Sequence, residues 1–462
     1  MFDPETAAIR FGTGLSPTLA PPQSVAAMLA ALQGPDVVAE ALPIQSFTER
    51  LDTFQAFNAR SKARRQTQKS GDAAAERAAI EEIRSYRRQL NADRRDGFRA
   101  ELARAAETSD GFRERLAWFW ADHFTAVGRY PPAEAAQASY LEEAIRPHLT
   151  GNFAQLLRAA ALHPMMQLYL DQNASVGPNS QAAKKNARGL NENLARELLE
   201  LHTLGVEGTY TQSDVRELAR LLTGAGFSAR NGGFMYRANV ADPGTKTVLG
   251  VRYGEPESNE AEMLRFLDAV ATHPDTARHI ARKFVVHFVS DTPDADHVAH
   301  VARAFTESGG ALMPTYAALL EHPAAWGHPD SKVKPPADYV ASALRALGLG
   351  HDALRGLKTN RLQLLFLAPL AGMHQPWRAP SGPDGWPEAA EDWITPQGLA
   401  GRIQWAMTVP QVLQRDLPDP LTFAETALGQ RLTPEIAFAA QNAETRWEAI
   451  GLVLASPAFQ RR

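Results

Sequence analysis

The sequence predicts a mostly α-helical chain, with several helices in two lobes and one small β-hairpin near residues 227–253. Three observations predict it. Apolar residues recur at helical spacing along most of the 462 residues. Helix-start and proline-break signals punctuate that pattern throughout. Only between Phe227 and Tyr253 does the texture change, to short apolar runs around the turn tripeptide Asp242-Pro243-Gly244.

The elements follow in order. Pro21 and Pro22 precede Ser24, which caps a helix running through Leu32. The Ala-, Glu- and Arg-rich stretch Glu76–Arg104 carries only sparse apolar points and reads as one or two largely exposed helices. The basic run Arg60–Lys69 reads as a solvated face rather than a phosphate site. An aromatic helix spans Phe112–Phe124, and further helices are expected at about 133–147, 152–161, 164–171, 190–204 and 211–223. Helical texture resumes near Asn259, with breaks at His273-Pro274, Thr292-Pro293 and Lys334-Pro335-Pro336. An irregular stretch from Gly372 to Pro396 carries Trp377, Trp386 and Trp393, and loops of that length tend to be functional. The chain thus divides into an N-terminal helical lobe (1–226), a hairpin and connector (227–258) and a C-terminal helical lobe (259–462).

Composition excludes several classes. A hydrophobic fraction of 44% gives a soluble globular chain ample core. The absence of cysteine rules out disulfides, thiolate metal sites and a cysteine nucleophile. A net charge of -4 argues against nucleic acid as a partner. No apolar run approaches the roughly eighteen residues of a membrane span. Asp3 and Glu5 open the chain and only Arg10 precedes the stretch Val25–Leu32, so no secretory signal is read and a cytoplasmic location is expected. HExxH, P-loop, GxSxG and dinucleotide-binding glycine motifs are all missing.

The densest constellation runs from His163 to Gly205. It contains Leu190-Asn191-Glu192-Asn193 and then Ala195-Arg196-Glu197-Leu198-Leu199-Glu200-Leu201-His202-Thr203-Leu204-Gly205. With Arg10-Phe11-Gly12, Trp120-Ala121-Asp122-His123, Asp242-Pro243-Gly244-Thr245-Lys246 and Gly382-Pro383-Asp384-Gly385-Trp386, this run resembles an uncharacterised bacterial family, domain of unknown function 1800 (DUF1800). The resemblance covers nearly the whole chain, with Ala241 standing where a His often precedes the Asp of the turn. It implies a largely helical fold and no defined activity. It also implies relatives that are often exported and a sulfatase-like protein as a partner.

At 100° per residue Asn193, Glu197 and Glu200 fall within about 60° of one another, with Arg196 beside them and His202 roughly opposite Glu200. One reading is structural: an Arg196–Glu200 pair, with Glu197 or Asn193 bonded to nearby loop backbone, on a face that Leu190 and Leu204 at its ends lead us to expect turned inward toward the Asp171–Ser180 loop. The other is an acid–base or hard-metal site using Asp171, Glu197, Glu200 and His123, with Asn193 and Arg196 as binding residues. His123 lies on an apolar stripe, where a core role is the commoner one. His279 and His287 stand two turns apart, too far for one ion. His163, His273 and His322 each precede Pro and fit helix entry. Trp377, Trp386 and Trp393 are candidates for a stacking platform or, more simply, for loop anchors, and Trp386 is expected to be largely buried. Two functions therefore stay open: an interaction or assembly protein, which is favoured, and a hydrolytic enzyme centred on Asp171, Glu197 and Glu200. No cofactor is assigned, and a divalent metal is the less favoured alternative.

Overall fold

A computed structural model describes residues 1–184, 189–229, 233–254, 259–327 and 332–462. They form a helical chain with two small antiparallel two-stranded sheets. Two apolar cores organise it. The first gathers Phe11, Trp120, Leu198, Phe284 and Tyr316, among others between Ala7 and Ala325. The second gathers Phe98, Leu102, Tyr339, Phe366, Trp405 and Leu454. Each such side chain, removed from water, contributes on the order of 1.5–3 kcal/mol before entropy is counted.

The aromatic helix Gly111–His123 joins the two cores. Asp110 caps it by accepting from the Arg113 N–H at 3.0 Å. Phe119 and Trp120 enter the first core, where the Trp120 indole donates to the Tyr316 hydroxyl at 2.8 Å. Trp118 leans the other way, onto the second core. The end of this helix therefore sits at the seam.

Local signals account for many boundaries. Ser24 caps Val25–Gln33, and Asn259 caps Glu260–Ala271. The three His-Pro steps share one device. The Nδ1 of His163, His273 and His322 accepts from the backbone N–H two residues on, while the proline fills the first helical position.

Two expectations need correction. The stretch 76–104 lies in one helix, Ala73–Glu107, and its last third is buried rather than exposed. Alanines there permit close packing: a Cβ at Gly97 would come within 2.9 Å of Ala138. The β region holds two hairpins instead of one. Ala225–Ser228 pairs with Gly233–Tyr236, and Lys246–Val248 pairs with Val251–Tyr253. The second hairpin turns at Leu249-Gly250, where φ values of 51° and 76° match a two-residue primed turn. Asp242-Pro243-Gly244 links the hairpins. Asp242 is wholly buried, accepting from the Asn179 N–H at 2.8 Å and pairing with Arg220 at 2.7 Å and Lys246 at 3.7 Å. That tripeptide is an anchor point, not a turn tip.

Candidate functional site

The helix face singled out from the sequence spans Asn193–Glu197 and a π-helical turn, Leu198–His202. It is not enclosed: Asn193 is exposed, and Arg196, Glu197 and Glu200 are half-buried. Arg196 donates to Glu200 at 3.1 Å, as its spacing suggests, and to Gln212 at 2.9 Å. Asp171 stands apart, 64% exposed in a left-handed conformation, 3.7 Å from Arg129. The loop at 170–176 is held instead by Asn191, whose side chain donates to the Leu170 carbonyl at 2.9 Å. Glu197 is pushed up to about 7 by burial and by the charges of Glu200 and Asp384.

His123 and His202 are buried beneath this face. The Nε2 of His123 meets the His202 carbonyl at 3.1 Å, and the Nε2 of His279 meets the Leu201 carbonyl at 2.9 Å. As donors, the two rings satisfy carbonyls that the end of a helix leaves orphaned. Gly205 lets His279 approach: with φ at 85°, a Cβ there would lie 2.8 Å from its Nδ1. Among the described residues, no three His, Asp or Glu side chains converge as metal ligands.

A second constellation lies at the seam, and spacing in the sequence does not show it. The irregular stretch 373–395 folds over the end of the aromatic helix, with one short helix, Ala390–Trp393. Trp393 is buried as an anchor, whereas Trp386 is only half-buried and so less enclosed than expected. Trp377 packs edge-on against Phe98 and Trp118, at 4.9 and 5.6 Å. Trp118, Trp377 and Trp386 wall a cavity of about 70 Å³ that also exposes Asp122, His287 and Glu388.

Asp122 receives the Trp386 N–H on both oxygens, each at 3.1 Å. Gly385 makes this possible. Its φ is 84°, and a Cβ there would lie 2.6 Å from the Asp122 carboxylate. Burial drives the Asp122 carboxyl from 3.8 up to about 7, against the opposing pull of Lys283 and the Trp386 N–H.

Across the cavity, Glu388 accepts from His287 Nδ1 at 2.6 Å and from Lys332 at 3.0 Å. Burial lowers the His287 imidazole toward its neutral form, while the hydrogen bond from its ring and the Lys332 ammonium, working against burial, hold Glu388 ionised, well below the usual carboxylate range. With Nδ1 donating, Nε2 of His287 carries the lone pair, which faces Arg115 Nη2 at 3.3 Å. Arg115 itself is tied to Asp338, which Arg462 also holds. One cavity thus holds a carboxyl protonated near neutrality and a neutral imidazole backed by an ionised carboxylate.

Residues 7–461 match the family described as a protein of unknown function, DUF1800. The chain belongs to that family. No curated protein and no solved structure matches it. The seam draws on three of the segments that carry the family resemblance: Asp122 from the Trp-Ala-Asp-His run, the Gly385-Trp386 step, and Leu201-His202 behind them. The first signal pointed at His123 where the neighbouring Asp122 faces the cavity, and nothing local marked His287 or Glu388. No helix among the described residues is long and apolar enough to cross a membrane.

Proposed function

We propose that this DUF1800 chain is a hydrolytic enzyme working by general acid–base catalysis at the seam, on a substrate that presents a ring or other flat face. The observation that carries the reading is the pairing, in one aromatic-walled cavity, of Asp122 with the His287–Glu388 pair. Environments that push neighbouring groups in opposite directions divide the roles of acid and base. Asp122 gives its proton to the leaving oxygen. His287 Nε2, once substrate displaces the long Arg115 contact, takes a proton from the attacking water, whose oxygen bonds to the substrate. Glu388 orients the ring and stabilises the imidazolium. Trp377 and Trp386 supply faces for stacking. Asp384 acts by its charge both on Lys283, which also feels Asp122 and Glu388, and on Glu197, and so links the cavity to the outer polar surface. Asp171, Glu200, Asn193 and Arg196 belong to that outer surface in this reading, and His123 supports from behind.

The test is a panel of nitrophenyl glycosides and esters with the parent, Asp122→Asn and His287→Gln. Each variant should lose about 10²–10⁴-fold in kcat on any substrate the parent turns over. The parent's rate should fall as pH rises through about 7, where Asp122 loses its proton. A carbon-13 titration placing Asp122 in the ordinary carboxylate range would overturn the reading even without a substrate.

The second reading, an interaction or assembly protein, is favoured by the helical pair Leu51–Ser70 and Ala73–Glu107. Its outer part exposes Lys62, Arg64, Arg65 and Lys69 to solvent. Capture of a sulfatase-like protein by the parent, lost on charge reversal at these four positions, would favour it.

A further inference from the structure

A second cavity, of about 160 Å³, lies at the other end of the aromatic helix, between the N-terminal Gly12-Thr13-Gly14 loop, the helix Val25–Gln33 and the start of the aromatic helix. Apolar side chains, including Leu15, Leu19, Pro22, Met28 and Phe112, share its wall with polar groups. Its size matches an apolar protein cavity of roughly 150 Å³ known to hold benzene.

Two polar groups in its wall stand out. Arg345 is 6% exposed, and its guanidinium meets only carbonyls: Gly14 at 2.8 Å from Nε, and Ala106 and Thr108 at 3.2 and 2.7 Å from Nη1. Among the described residues no carboxylate pairs with it, and Nη2 has no partner. Buried cations are ordinarily matched by an anion. Burial alone pulls this guanidinium down to about 10. Thr13 is 5% exposed, and its Oγ1 is buried without a hydrogen-bond partner. The one carboxylate in the wall, Asp110, is occupied by Arg113 at 3.0 Å and by its capping bond.

We propose that this cavity binds a small monocarboxylate with a compact apolar body, aromatic or branched, whose carboxylate meets Arg345 Nη2 and accepts from the Thr13 hydroxyl. The apolar walls take the body, and the uncompensated cation selects an acid over the corresponding alcohol. The charged hydrogen bond is the stronger kind and is formed here out of bulk water.

Calorimetric titration of the full chain tests it, with benzoate and isovalerate as probes and with acetate and benzyl alcohol as controls. Benzoate or isovalerate should bind saturably with Kd at or below about 1 mM. Benzyl alcohol should bind at least about tenfold more weakly, since it lacks the charge. Acetate lacks the apolar body and should bind more weakly as well. Thr13→Val should weaken benzoate several-fold. Ala27→Phe adds bulk to an exposed position at the cavity rim and should abolish binding without touching either core. Asp122→Asn, at the seam, should leave it unchanged. Absence of saturable binding by both probe acids would overturn the proposal. So would equal affinity for benzyl alcohol, or benzoate binding that survives Ala27→Phe but is lost in Asp122→Asn.

Discussion

Replacing Asp122 by Asn should make the protein more stable at neutral pH while removing its proposed activity. In the fold the Asp122 carboxyl titrates near 7, against 3.8 when unperturbed. Between those values the folded chain holds a proton that the unfolded chain has released. Stability attributable to this group therefore falls as pH rises from about 4 to about 7, and the full penalty remains above that. The upward displacement corresponds to at most about 4 kcal/mol, and the partial exposure of Asp122 argues for about 2–4 kcal/mol.

Asn keeps an oxygen for the Trp386 N–H, removes the charge and preserves the shape. The variant should thus match the parent near pH 4 and exceed it at pH 8. With about 2.1 cal/mol/K of unfolding entropy per residue, that gain raises Tm by about 2–4 °C in this chain of 462 residues. Scanning calorimetry of both proteins between pH 4 and 8 measures it. Parallel curves, with no gap opening as pH rises, would refute the assignment of a costly buried carboxylate. The acid–base reading would then lose its proton donor.

Three further outcomes are expected. His202 is buried with neither ring nitrogen hydrogen-bonded, and burial pulls it down to about 3. Its neutral state in the fold costs stability as pH falls below about 6.5, so His202→Leu should gain about 2 kcal/mol over the parent at pH 5 and little at pH 8, read by urea unfolding. Asp242→Asn should destabilise by about 3–5 kcal/mol, because Lys246 and Arg220 lose the carboxylate that compensates them; hydrogen exchange should report loosening of the Lys246–Tyr253 hairpin first. His273→Ala should cost about 0.5–2 kcal/mol of thermal stability through the lost cap on Asp275, and His273→Asn should recover most of it.

The fold was legible where its causes are local. A serine or asparagine followed by an apolar period, or a His-Pro step, determines a helix start from a few neighbouring residues. The hairpins were half legible. Pro243 and Gly244 mark a change of direction, but the pairing was decided by Asp242, whose side chain is drawn inward by Arg220 and Lys246 rather than left at a turn tip. Alanine misled in 73–107, since a residue with little apolar surface of its own can still line a core when helices come close. The face from Asn193 to Glu200 was placed correctly on one helix, and its Arg196–Glu200 pair formed. The leucines at its ends did not enclose it, however, because they turn into the core around Trp120.

The seam could not be read from spacing, because its members are distant in sequence. His287 and Glu388 are 101 residues apart, and Trp386 lies 264 residues from the carboxylate it contacts. What brings them together is backbone geometry at one step. Gly385 adopts a conformation that side chains avoid and leaves no room for a Cβ, so the Trp386 N–H can reach Asp122 while its indole forms part of the cavity wall. Two residues on, the same strand of loop delivers Glu388 to His287 and Lys332. Anchoring and chemistry are consequently not alternatives for the aromatic loop. Trp393 in the core holds the segment down, and that fixed course sets the proton affinity of Asp122 on one side of the cavity and the tautomer of His287 on the other.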